Sequence, residues 1–545
     1  MTLLGLLSLV LGLSTSYFLY TRGFENKSVT KTWTSILAVY LSLITVLGFY
    51  IDFFGLPVST TTYFFIFMIS GIGGYYYLQP ERPKIEWKLN KYVLLIIAAG
   101  FIYLAYPSFP SMFPAGSMPD APRHYAIAQY IQDKGRLIHP GSGEALSLFG
   151  SSIIETYPFG THLNTALLSS MLDIQLIRIL FPFHAILLVL SAVVLYGIAV
   201  EYLSIDEKLA LIVPFVFLTS LHNIEALTYT NSFSMITGGF LAISFFWNTL
   251  DYLDAKNIRK ILILALILSA MFMTYPIWAF LGFIAFILSS FLHNNKIEKD
   301  HIWFLIIGAL ILTVLYWRDK FNAVSSPLST EGVLISTPYL ATGLGAIALS
   351  IMGAYTLEKK HKSVLAFLLS TAALPIFFVF YSQVFSHVSL YWYYKTYYHL
   401  GYPLALLAGA GLSKAYHEVK AMPVKNKENT RNLFLLFLVI AGVFSLYQLQ
   451  YVQEKRWNKL SITPDEFTTG LELRKMPGDL FFMHPTKADK ERPRIYWLVA
   501  LSQKNANPNG VLLVDDESEI TSTHLAMFEV IHREGKTVIL RRKGS

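Results

Sequence analysis

The chain has 545 residues, 54% hydrophobic and only 14% charged, where soluble domains carry about 25% charged residues. Apolar stretches of near-spanning length recur along its first 450 residues, more than a soluble core accommodates. The net charge of +8 forms no basic stripe; the cations sit in short loops between apolar segments, a sign of membrane topology and not of a nucleic-acid surface.

The absence of cysteine removes disulfides, thiolate metal sites and cysteine nucleophiles. Thr2–Tyr20 lacks a basic n-region and a clear cleavage site, so it reads as the first span and not as a signal peptide. Further spans are expected near 32–54, 60–78, 92–106, 177–203, 209–221, 233–250, 261–273, 276–292, 301–316, 339–356, 364–385, 397–412 and 433–449. That makes about fourteen transmembrane helices.

Loops taken alternately divide sharply by charge. Residues 21–31, 79–91, 204–208, 251–260, 293–300, 357–363 and 413–432 together hold 21 Lys and Arg. The other loops hold 6: Arg123, Lys134, Arg136, Arg318, Lys320 and Lys395. The positive-inside rule makes the first set cytoplasmic. The N-terminus, loop 107–176 and the tail from 450 are then expected outside the plasma membrane.

The long outer loop opens with Asp120, followed by Pro122 and a helical pattern in which His124, Ile127, Ala128 and Ile131 share one face. This predicts a short amphipathic helix at the outer surface. Asp120 suits an N-cap, and a capped carboxylate is also held still for chemistry. His124 stands one turn away on the same side. The loop continues through Glu155-Thr-Tyr157-Pro-Phe-Gly-Thr-His162 into an apolar helix too short to span. Glu155 and His162 bracket the Pro158–Gly160 turn, and Tyr157 suits an interfacial anchor.

The next outer cluster is Tyr391-Trp-Tyr-Tyr-Lys-Thr-Tyr-Tyr-His399. An aromatic belt explains the tyrosines. Lys395 is a rare outer cation at headgroup depth, where it could meet a lipid-linked phosphate. Beyond 450 the composition becomes soluble. Helices are expected at Thr463–Lys475, Arg494–Gln503 and Glu519–Arg533, and strands at Asp479–Met483, Gly510–Val514 and Thr537–Leu540. Their alternation suggests a small parallel α/β unit resting on the bundle. Asp515, Asp516 and Glu517 read as a solvated acidic loop.

Together and in this order, these residues resemble the C-type glycosyltransferases of the GT-C fold. These are polytopic enzymes using polyprenyl-phosphate sugar donors, with mannosyl- and aminoarabinose-transferase relatives. The resemblance rests on the acid–His–helix loop (Asp120 to Gly135), the Tyr-Pro-x-Gly-x-His turn (Tyr157 to Leu172), the Thr-Tyr-Pro break of a hydrophobic hairpin (Thr274 to Pro276), and the outer α/β tail. It covers roughly 92–545. Residues 1–91 become a three-span extension, 92–449 the bundle, and 450–545 an extracytoplasmic domain.

The resemblance implies inverting transfer of a hexosyl or pentosyl group on the outer face. Asp120 would be the general base or would orient the acceptor. Arg123, His124, Glu155, Tyr157, His162 and Lys395 would bind substrates, with Lys395 or Arg123 stabilising the departing lipid phosphate. The acceptor would be a glycan, lipid or protein. Some relatives carry paired acids where this chain has Asp120 alone, so a divalent cation stays open; no other cofactor is implied. The rival readings are a lipid or glycan transporter or flippase, and an oligosaccharide polymerase or ligase.

Overall fold

The structure is a computed structural model. It describes residues 2–24, 28–78, 90–115, 120–139, 157–228, 231–292, 299–321, 344–372 apart from 363 and 367, 393–421, 429, 432, 462–481, 494–516 apart from 505, 508 and 510, and 520–544 apart from 521.

The apolar segments fold as helices. The first four are α1 (Leu3–Gly23), α2 (Val29–Phe53), α3 (Thr60–Leu78) and α4 (Lys91–Ala105). Thr2 and Ser28 cap α1 and α2 through their hydroxyls, each satisfying an amide left over at a helix start. Two short helices follow, α5 (Asp120–Lys134) and α6 (Gly160–Leu172), before the long α7 (Leu176–Glu201).

The expected span at 209–221 is interrupted. It forms α8 (Glu207–Ala210) and α9 (Ile212–Thr219), and the next segment forms α10 (Leu221–Thr228). Pro214 offers no amide to the Ala210 carbonyl four residues back, and its ring crowds that carbonyl. The helix therefore breaks between them.

The chain continues as α11 (Phe233–Asp254), α12 (Ile258–Thr274), α13 (Pro276–Leu292), α14 (Lys299–Phe321), α15 (Leu344–Lys360) and α16 (Tyr393–Ala421). The hairpin between α12 and α13 breaks at Thr274-Tyr275-Pro276, as its Pro predicts. Among the described residues, five helices are long and apolar enough to cross a membrane: Leu3–Gly23, Val29–Phe53, Lys91–Ser108, Leu176–Glu201 and Phe233–Asp254. The chain is a multi-pass membrane protein. The expected count of fourteen is only partly represented, since the last span, 433–449, and much of 364–385 lie outside the described residues.

Two cations assigned to loops are in fact inside helices and buried. Lys31 lies in the first turn of α2 and forms an ion pair with Asp251 in the last turn of α11. The Tyr202 hydroxyl donates to the other Asp251 oxygen. Lys260 Nζ donates to the Asp251 carbonyl at 3.0 Å. A buried ammonium needs such partners, and here they tie three helix ends together.

Among its described residues, the C-terminal segment holds α17 (Pro464–Lys475), α18 (Arg494–Ser502) and α19 (Ser522–Met527) with five strands. Thr463 closes a capping box with Glu466 at the start of α17, and Pro464 occupies its first turn. The strands are β1 (Leu480–Phe481), β2 (Ala506–Asn507), β3 (Leu512–Asp516), β4 (Phe528–Glu534) and β5 (Thr537–Arg542), in the order β2-β1-β3-β5-β4.

Three expectations are corrected here. The sheet is mixed: β1 runs parallel to β2 and β3, while β5 pairs antiparallel with β3 and β4. The helix expected over Glu519–Arg533 stops at Met527, and Phe528–Glu534 is a strand hairpin-linked to β5. Asp515 and Asp516 belong to β3 and not to a loop, while Glu517 lies outside the described residues.

This C-terminal unit packs on α5. The Trp497 ring lies 5.6 Å from that of Tyr125, and Phe467 5.3 Å from Phe113. The Asp133 carboxylate accepts from Arg474 at 2.6 Å and from Gln503 at 3.0 Å. The expected apolar face of α5 is buried, including His124, Ile127, Ala128 and Ile131, and so is Tyr125 on a second face. The helix is therefore clasped between bundle and sheet unit, where a surface helix was expected. Burial pushes the Tyr125 phenol above its ordinary range, so it serves there as a neutral ring.

Candidate active site

Asp120 is the first residue of α5. Its carboxylate accepts from the Arg123 guanidinium at 3.1 Å, one turn along. That contact with a side chain stands where an N-cap bond to a backbone amide was expected. Both side chains are partly exposed, Asp120 by 27% and Arg123 by 19%, so an acid and a cation meet solvent side by side.

One turn further along α5, His124 Nδ1 lies 2.8 Å from His162 Nε2. Both rings are buried and lie nearly parallel, 5.0 Å apart. Tyr157 stands edge-on to each at 5.5 Å. The two motifs of the long loop thus converge on one polar contact inside an aromatic cage. A single shared proton joins the imidazoles, since one nitrogen must donate and the other accept.

The first turn of α6 holds His162 in place. The Asn164 amide donates to the Gly160 carbonyl at 2.9 Å and to Thr45 Oγ1 of α2 at 3.0 Å. Gly160 is needed for contact: a Cβ there would stand 2.2 Å from Thr274 Oγ1 at the end of α12. The Tyr-Pro-x-Gly-x-His turn and the Thr-Tyr-Pro break are therefore neighbours in space.

The remaining sequence candidates divide. Glu155 lies outside the described residues. Lys395 lies in the first turn of α16, with its side chain outside the described residues. One turn further, the buried His399 packs 4.2 Å from the Trp278 ring and 5.9 Å from Tyr275. Among the described residues, no three His, Cys, Asp or Glu side chains gather in a way that could hold a metal ion.

Three polar groups escaped the sequence reading. His184, buried in α7, donates from Nδ1 to the Leu180 carbonyl at 2.6 Å and stacks on Phe233 at 4.3 Å. Phe233 in turn lies 5.2 Å from His124. An ionisable residue within a long apolar span is a signal that could have marked His184. Asp52 and His139 pair across a long stretch of chain, and nothing local in the sequence announces that contact.

A bundle of apolar helices, two short helices clasped at one end and a small docked sheet make a fold similar to that of the solved ArnT. ArnT from Cupriavidus metallidurans, in the apo state, aligns over 82% of this chain and 97% of its own, at 11% identity and a TM-score of 0.50. The apo oligosaccharyltransferase of Archaeoglobus fulgidus aligns over 81% of this chain and 71% of its own, at 12% identity and a TM-score of 0.49. No protein-family model matches the chain, and no curated protein sequence does.

Proposed function

We propose that the chain is a membrane glycosyltransferase moving a sugar from a polyprenyl-phosphate donor to an acceptor on the outer face of the membrane. The observation that carries this reading is the convergence at one end of a GT-C bundle. Asp120 and Arg123 meet solvent there in the first turn of α5, next to the buried His124 that pairs with His162.

In this reading the acceptor oxygen attacks the anomeric carbon from the face opposite the phosphate. Its proton passes to Asp120 Oδ2 as the new C–O bond forms, and the bond to the phosphate oxygen breaks. Arg123, already oriented by Asp120, offers its remaining N–H groups to the departing polyprenyl phosphate. Lys395 would be a second cation for the same phosphate. The His124–His162 contact fixes α5 against α6, so that Asp120 and the Tyr157 turn keep a constant spacing. Tyr157 and Glu155 are assigned to substrate binding.

The decisive variant is Asp120→Asn. It keeps a side chain able to accept from Arg123 and removes the proton acceptor. Transfer from a polyprenyl-phosphate sugar should fall by roughly a hundredfold or more, the scale of a lost general base, while thermal stability in detergent changes little. A folded variant transferring at the parental rate would remove Asp120 from the chemistry.

A further inference from the structure

We propose that the last turn of α2 belongs to the transfer machinery, with Asp52 a positioning residue that fixes the exit of α5. This deepens the reading of Asp120 as the reacting carboxylate, and rests on it.

The Asp52 side chain is only 3% exposed. A carboxylate is not held in such a place without partners, and both its oxygens are committed. Oδ1 accepts from the backbone N–H of Leu137 at 3.2 Å, and Oδ2 faces His139 Nε2. Those residues follow α5 directly. Gly135 turns the chain at the end of that helix with φ +61°, a conformation glycine adopts without strain. Its carbonyl accepts from the Val58 N–H at 2.8 Å, in the loop after α2. Three long-range contacts therefore fasten the segment just after α5 to the end of α2.

The same face of α2 holds the entrance of α6. Thr45 Oγ1 accepts from Asn164, and the Phe49 ring stacks on Phe159. Positions 45, 49 and 52 recur at helical spacing and so lie on one stripe. One stripe thus sets both helices whose histidines meet at 2.8 Å. Asp52 cannot act on substrate beside Asp120, because α5 separates them by about 22 Å at 1.5 Å per residue. It acts through the helix. A hydrogen-bonded helix moves as a rod, so freeing its exit displaces Asp120, Arg123 and His124 together. A misplacement of about 1 Å can cost about a hundredfold in rate.

The test uses the full chain with Asp52→Ala, Asp52→Asn and His139→Ala. Hydrogen exchange is read over residues 120–139, and steady-state transfer is read per folded molecule. Asp52→Ala should speed exchange in the last turn of α5 and at Leu137, and lower kcat about ten- to a hundredfold with donor KM changed less than threefold. Asp52→Asn keeps an acceptor for Leu137 and should recover most of both. If Asp52→Ala does not fold, His139→Ala, which removes one partner, should give a smaller change of the same kind. Faster exchange with a parental kcat would make Asp52 purely structural and overturn the proposal. A lower kcat with parental exchange would overturn the route through α5. A parental chain that moves no sugar would overturn the glycosyltransferase reading instead, and the exchange data would still decide whether Asp52 holds α5.

Discussion

Replacing the Lys31–Asp251 pair tests whether it is a lock or a strain. The two side chains are 1% and 3% exposed, and the Lys31 ammonium also lies 5.2 Å from the Trp247 ring and 5.4 Å from that of Tyr202. Asp251→Leu leaves that ammonium buried without its counter-ion. Breaking a buried pair costs about 3–5 kcal/mol, and the two rings offset about 0.5–2 kcal/mol of it. A net loss of about 1–4.5 kcal/mol follows. Lys31→Met removes the ammonium that faces the buried Asp251 carboxylate, so it should lose about 3–5 kcal/mol. The double variant buries neither charge and should lie within about 1 kcal/mol of the parent.

The assay is reversible unfolding in mixed micelles, followed by circular dichroism. Lys31 sits about 30 Å along α2 from Asp52, so sugar transfer per folded molecule should be unchanged in all three variants. A double variant that loses the sum of the single losses would refute the coupling, because independent sites add.

Two further outcomes follow from the geometry. Gly160→Ala places a methyl group 2.2 Å from Thr274 Oγ1, forcing α6 off α12 at a cost of about 1–3 kcal/mol; thermal stability and transfer should both fall, and Thr274→Ala in the same chain should recover most of the loss. Cysteines introduced at Lys134 and Lys536, both exposed, should both react with an impermeant thiol reagent in intact cells, since the chain has no thiol of its own; labelling at only one would place the two segments on opposite sides of the membrane.

What the sequence revealed follows the range of the interactions. Helix α5 and its His124 face were legible because 3.6-residue periodicity is local. Its second face was not, since Tyr125 and Asp133 are covered by Trp497, Arg474 and Gln503, which belong to the far end of the chain. The α17 cap was legible as Thr463-Pro464 before a periodic segment. Strand β4 was not: a bulge between Val530 and His532 interrupts its alternation, and pairing with β5, not propensity, fixes its conformation. The break at Pro214 was missed because apolar residues run on both sides of it, and hydropathy alone reads them as one span. Lys31 looked like a topology marker because a buried lysine differs from a loop lysine only in its partners, and its partner Asp251 stands far along the chain, at the end of α11.

The clasp on α5 also imposes a schedule. The partners of Asp133 on α17 and just beyond α18 are 341 and 370 residues later in the chain. At ribosomal speeds of about 5–20 residues per second, α5 waits roughly 20–70 s for them. During that interval the bundle can assemble around α6, but Tyr125 and its neighbours stay bare. A newborn copy therefore passes through an inserted yet unfinished stage, in which the outer face of the helix carrying Asp120 is still uncovered. Quality control acting on this protein would find its clearest mark of immaturity there, on an aromatic face that vanishes only once α17 and α18 have been made.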